Sequence, residues 1–112
     1  MATTHKLLNT EGSAPWQLGV AGTPADIYDP DGVTGLVKTI VLHNMNSSTE
    51  VVEVFFNGTA DTARILNVSL EPDETFEWSL GHMIVVEADE VLKGQSTTAD
   101  KVNYFIFGAE ES

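Results

Sequence analysis

The sequence predicts an all-β fold: a single-domain antiparallel β-sandwich with jelly-roll-like connections and an extended N-terminal arm. Three observations lead there. From Leu36 onward, apolar strand-like runs return at a spacing of roughly ten residues, each closed by a polar turn. No stretch sustains the 3.6-residue apolar period of an amphipathic helix. The first third is punctuated by Gly12, Pro15, Gly19, Gly22, Pro24, Pro30, Gly32 and Gly35, a density that excludes long helices.

In chain order, residues 1–14 form the arm, polar and small apart from the pair Leu7 and Leu8, and residues 15–112 form the sandwich. Strands are expected at Trp16–Val20, Asp26–Tyr28, Leu36–Asn44, Glu50–Phe56, Ala63–Leu70, Thr75–Leu80, Met83–Ala88 and Lys101–Gly108. The separators "NMNSST", "NGTADT", "EPDE", "LGH" and "KGQSTTAD" are built from residues that tolerate turn geometry. Asn57-Gly58 is a hairpin signal, because both residues accept positive φ. In "EPDETFEWSL" a turn on Pro72 leads into a strand whose Phe76, Trp78 and Leu80 point inward while Glu77 and Ser79 point out.

The run "VKTIVLHNMNSSTEVVEVFFNG" is apolar on both faces of its strands. Val37, Val41 and Met45 fall on one side of the first strand, with Leu36, Ile40 and Leu42 on the other. Val52, Val54 and Phe56 oppose Val51 and Phe55 in the second. Burying one such side chain stabilises by roughly 1.5–3 kcal/mol. One sandwich of 112 residues has no further internal layer for the second face. A neighbouring subunit is the expected cover, with Leu7, Leu8, Trp16, Val37, Val41, Val51 and Phe55 as the interface residues.

Charge narrows the partners. Seventeen acidic against five basic side chains give a net charge of −12, which repels phosphate backbones and anionic membrane surfaces. Neither nucleic acid nor membrane is therefore expected as a partner. The absence of cysteine removes disulfides, thiolate metal sites and cysteine-dependent catalysis. The N-terminal "MATTHKLLNTEG" has no apolar stretch of signal-peptide length, so use without signal-dependent export is expected.

Catalytic chemistry is poorly provided for. His5, His43 and His82 are the only histidines, no G-x-S-x-G surrounds a serine, and no pair of histidines has zinc-ligand spacing. A small hydrolase would need His43 and His82 to meet a carboxylate in a cleft. "DPDG" at 29–32 reads as a Pro-Asp-Gly turn: a calcium loop needs a bidentate Glu six residues past the glycine, where Lys38 stands. The "EADE" at 87–90 reads as a solvated strand end, and no Gly-rich phosphate cradle appears. No cofactor, no metal and no enzymatic activity are expected. Trp16 and Trp78 raise a carbohydrate-binding alternative, in which an exposed Trp16 is the platform.

The stretch from "GLVKTIVLHN" through "VVEVFFNG", "EPDET" and "LGHMIVVEADEVL" to "VNYFIFGAEE", about residues 33–109, resembles small β-sandwich structural proteins of tailed bacteriophages. These are capsid decoration (cement) proteins, head fibres and tail components. The chain departs from that pattern at "DPDGVTG" and at "EADE". The resemblance implies a virion structural role without catalysis. A capsid decoration protein is the leading expectation, made in the host cytoplasm and residing on the capsid surface. Its partners would be the major capsid protein or other virion subunits, and it would form a homo-oligomer, trimers being favoured. The alternative is a carbohydrate-binding or adhesion module of a phage fibre or tail.

Overall fold

The computed structural model describes residues 3–9 and 14–112, without the side chains of residues 3–5 and Leu80. Among the described residues there are eight strands: β1 (Thr3–Leu7), β2 (Ala25–Tyr28), β3 (Thr34–Asn44), β4 (Glu50–Phe56), β5 (Arg64–Leu70), β6 (Thr75–Val86), β7 (Leu92–Ser96) and β8 (Val102–Glu111). Among the described residues the only helical element is a 3-10 turn at Asp61–Ala63. The strands form two four-stranded antiparallel sheets, ordered β1-β8-β3-β6 and β2-β7-β4-β5. Strands β1 and β8, β2 and β7, β3 and β6, and β4 and β5 are thus paired in turn, alternating between the sheets.

The core lies between the sheets, because each contributes one apolar face to a single cluster. Val37, Ile40, Leu42, Val86, Val102, Tyr104 and Ile106 come from the first sheet, and Ile27, Tyr28, Val52, Val54, Leu70 and Leu92 from the second. Phe76 and Trp78 pack against this cluster as the alternation in β6 predicts, while the side chain of Leu80 lies outside the described set.

Polar bridges close the sandwich. Tyr28 Oη donates to Glu110 Oε2 at 2.7 Å, and Lys6 Nζ lies 2.8 Å from Glu110 Oε1. Elsewhere the buried Asn44 donates through Nδ2 to the carbonyls of Ser48, Leu70 and Glu71 and accepts from the Asn46 amide. Buried Glu50 accepts from Asn46 Nδ2 and from the Thr98 amide. Buried polar groups survive in a core only when satisfied in this way.

Three expectations change. The arm does not stand apart from the sandwich: Thr3–Leu7 pairs with β8, Leu8 is fully buried, and the Leu8 amide donates to the Ile106 carbonyl. Asn9 then imitates a strand backbone, donating from Nδ2 to the Tyr104 carbonyl while Oδ1 accepts from the Ile106 amide. The part of the expected arm at residues 1–2 and 10–13 lies outside the described residues. Trp16–Val20 contributes only isolated bridges, Gln17 to Asn103 and Val20 to Ser96. The two strands expected at 75–80 and 83–88 form one strand, β6, whose register against β3 skips residues 80–83.

The turns follow local chemistry. Pro30–Val33 closes with a Val33 amide to Pro30 carbonyl bond, and Gly32 takes φ +76, which a side chain would resist. Asn57 adopts φ +51, but Gly58 does not share it, and the link to β5 runs on through the 3-10 turn. "EPDE" and "EADE" make the same device. Glu74 and Glu90 each accept the backbone amide of the glutamate three residues earlier, whose carbonyl in turn accepts their own amide.

Candidate functional site

Among the described residues, the side of the first sheet turned away from the core carries a group of unburied apolar side chains. Its layout depends on a β-bulge in β3 between Val37 and Thr39. Before the bulge, Gly35 and Val37 face the core; after it, Ile40, Leu42 and Asn44 do. One extra residue therefore exchanges the two faces of the strand. Beyond it Thr39, Val41 and His43 point outward, and Lys38, the bulged residue, is exposed.

Cross-strand pairing assembles this face in rows. Leu36 lies between Ala109 and Val85; Phe107 pairs with Leu7 on one side and Thr39 on the other; Phe105 pairs with Val41, which pairs with Glu77. Phe107 is 43% exposed, Val85 45% and Met83 47%. Leu7, Leu36, Val41 and Phe105 are half-buried. Trp16 closes the margin edge-on to Phe105, with ring centroids 6.4 Å apart, and its buried indole N–H has no partner among the described residues. Lys6, Leu7, Lys38, Thr39, Phe107 and Gly108 line a shallow depression on this side.

The seven residues expected at an interface fall in three places. Leu7 and Val41 belong to the face just described, and Trp16 sits at its margin, edge-on to Phe105 while also packing against the core cluster. Leu8 and Val37 are fully buried in the core and present nothing to a partner: Leu8 follows β1 under the sheet, and Val37 is turned inward by the bulge. Val51 is 39% exposed on the outer side of the second sheet, not the first.

Phe55 shares Val51's side but is covered by its own chain, only 2% exposed. It pairs with Arg64 on one side and Lys93 on the other, and such long side chains cover apolar surface with their stems. Arg64 reaches Glu53 at 2.6 Å and Lys93 reaches Asp26 at 2.5 Å. Gln95 also donates to Glu53 at 2.7 Å. The Gln95 hydrogen bond, followed by that of Arg64, holds the Glu53 carboxyl below the usual range. Sequence reading missed Leu36, Phe105, Phe107 and Val85. Their signal was present, since "NYFIF" alternates with apolar residues on both faces, as β3 does.

Catalytic and metal chemistry is sparse. His43 Nδ1 lies 2.8 Å from Thr75 Oγ1, and Nε2 lies 3.2 Å from Asp73 Oδ1. This hydroxyl, imidazole and carboxylate lie on the open face of the sheet, with Asp73 91% exposed, so no apolar wall excludes water from them. His82 is exposed and makes no hydrogen bond or ion pair among the described residues. No group of three His, Asp or Glu side chains is close enough to hold a metal ion among the described residues. Among the described residues no helix is long and apolar enough to cross a membrane.

In the bridge of Tyr28, Glu110 and Lys6, the tyrosine and the glutamate are perturbed in opposite directions. Burial, then the bond to Glu110, pushes the Tyr28 phenol far above its ordinary range. Burial pushes Glu110 upward, but hydrogen bonds from Lys6 and Tyr28 outweigh it and leave the carboxyl below the usual range. Every partner here is internal, so the bridge holds structure and offers no free group to a substrate.

Comparison with protein-family models, with curated proteins and with solved structures finds no significant match.

Proposed function

We propose that this chain is a non-enzymatic structural protein of a tailed-bacteriophage virion, a capsid decoration protein that attaches to the shell and stabilises it. The observation that carries the reading is the exposed apolar face built around Phe107, Val41, Leu36 and Val85 on an otherwise strongly acidic chain. Contiguous apolar surface of this kind marks a place where another polypeptide packs. The strand order supports a jelly roll, since pairing β1 with β8, β2 with β7, β3 with β6 and β4 with β5 is the pattern of one long hairpin rolled into two sheets.

The mechanism is mechanical. A rigid sandwich fixed to adjacent shell subunits resists their separation under internal genome pressure, and burial of the apolar face against another polypeptide of the assembly adds to its cohesion. The carbohydrate alternative asks for an exposed indole. Trp16 is half-buried against Phe105, and both Trp16 and Trp78 pack against the core cluster.

Co-sedimentation of the purified chain with phage shells, followed by imaging, tests the reading. Regular added density of this size on the shell surface is expected, with Phe107→Asp greatly reducing it. Shells that stay bare at saturating protein, in a phage whose virion contains the chain, would overturn the decoration role.

A further inference from the structure

We infer that the outer face of the first sheet is self-complementary and packs against the same face of a second copy of this chain about a two-fold axis. The inference rests on the assembly reading above and names the partner of that surface.

The charges on the face select the occupant. Lys6, Arg64 and Lys93 each sit in an ion pair, but Lys38 makes none among the described residues. The bulge sets Lys38 on the rim of the depression beside Phe107 and Thr39. Glu77 stands on the same face opposite Val41, accepts only a 3.1 Å bond from Ser79 Oγ, and likewise makes no ion pair among the described residues. Val41 lies three positions beyond Lys38 in β3, about 10 Å along a strand. Between the two charges lie Thr39 and Ser79, paired across the strands, with Val41 beside Glu77, Phe107 beside Thr39 and Leu36 on the far side of Lys38.

A uniformly acidic partner would satisfy Lys38 and be repelled by Glu77, and a uniformly basic one the reverse. A surface bearing both charges at this spacing satisfies both, and this face is such a surface. A two-fold axis midway between them sets Lys38 of each copy against Glu77 of the other, so the contact forms twice and the pair closes. Phe107, Val41 and Leu36 are then withdrawn from water together. The general repulsion between two chains of net charge −12 opposes pairing, but at physiological salt it is screened beyond about 8 Å, whereas contact pairs are screened much less. A closed two-fold pair differs from the trimer favoured above.

Sedimentation velocity of the full chain at physiological salt, over a wide concentration range, is the test. A species of twice the chain mass is expected. Lys38→Glu alone and Glu77→Lys alone should each weaken the pair at least about tenfold, as should Phe107→Ser. The double variant K38E/E77K should recover most of the loss, a rescue that a purely structural role for either residue would not give. Val51→Ser, on the other sheet, should leave the mass unchanged, and circular dichroism should report a retained fold for each variant. A monomer at every concentration, a trimer, or a dimer indifferent to both charge reversals overturns the pairing. A monomer that nonetheless decorates shells would overturn it while leaving the structural role standing.

Discussion

The phenolic oxygen of Tyr28 in β2 donates a 2.7 Å hydrogen bond to Glu110 in β8, tying one sheet to the other. The same carboxylate takes Lys6 from β1, so a single glutamate joins three strands of two sheets. Gly35 makes the approach possible, since a Cβ there would overlap the Tyr28 ring. Tyr28→Phe keeps the ring and deletes the donor. Hydrogen bonds to charged groups contribute about 1.5–3 kcal/mol, so the urea midpoint should fall by a corresponding amount with the m-value unchanged.

The same bridge makes stability depend on pH at both ends. Glu110 and Glu53 are more acidic in the fold than in the unfolded chain. Their contribution is complete above the unfolded glutamate value of about 4.3 and fades as pH falls through the lower folded values. Tyr28 is shifted the other way, so its contribution is complete below the unfolded tyrosine value of about 10 and fades as pH rises beyond it. Thermal melts across pH should show both losses, and Tyr28→Phe should lessen the alkaline one. A variant whose alkaline loss matches that of the parent would remove Tyr28 as its source.

Much of the fold was legible because alternation and turn chemistry are local. The strands at 36–44, 50–56 and 101–108 were read from apolar runs bounded by Asn, Gly, Ser and Asp, and all three are present. Strand β7 reads as a loop in the sequence, because "LKGQS" holds one apolar residue. It is buried through Gly94, which lies under Leu18 and Ile27, and through the hydrogen-bonded Gln95 and Ser96. Strand β1 was missed for a similar reason: its support comes from β8, about a hundred residues away. The interface set went astray at Val37 because a bulge leaves no mark on sequence parity, and at Phe55 because its cover comes from Lys93 and Arg64. Both are consequences of pairing between strands, which periodicity along one strand does not encode.

Asn44 is a core position that is polar for a reason. Its side-chain amide holds the carbonyls of Leu70 and Glu71, where β5 ends, and of Ser48, just before β4. Asn44→Leu fits an apolar surround but leaves those carbonyls and the Asn46 amide without that partner. A loss of about 1–3 kcal/mol is expected for the unpaired groups, seen as a lowered denaturation midpoint. Hydrogen exchange should quicken first at Asn46 and Ser47, whose amides bond to Asn44 and Asn46 side chains. Unchanged exchange there would mean that the loop is held by other contacts.

The N-terminal segment separates an attached arm from an integral strand. A detachable arm could be removed at no cost to the sandwich. Leu8, however, is fully buried in the core, and Asn9 completes the β8 edge with two hydrogen bonds to backbone. Truncating Leu8 to alanine should cost about 2–5 kcal/mol, as for other buried leucines. Asn9→Ala should cost roughly 1–3 kcal/mol by unpairing the Tyr104 carbonyl and the Ile106 amide. Deleting residues 1–9 removes both contributions together with the β1 ladder and should lower the melting temperature by more than either substitution. A truncated chain that melts with the parent would mean that β8 holds its place without β1, and the segment would then be an arm after all.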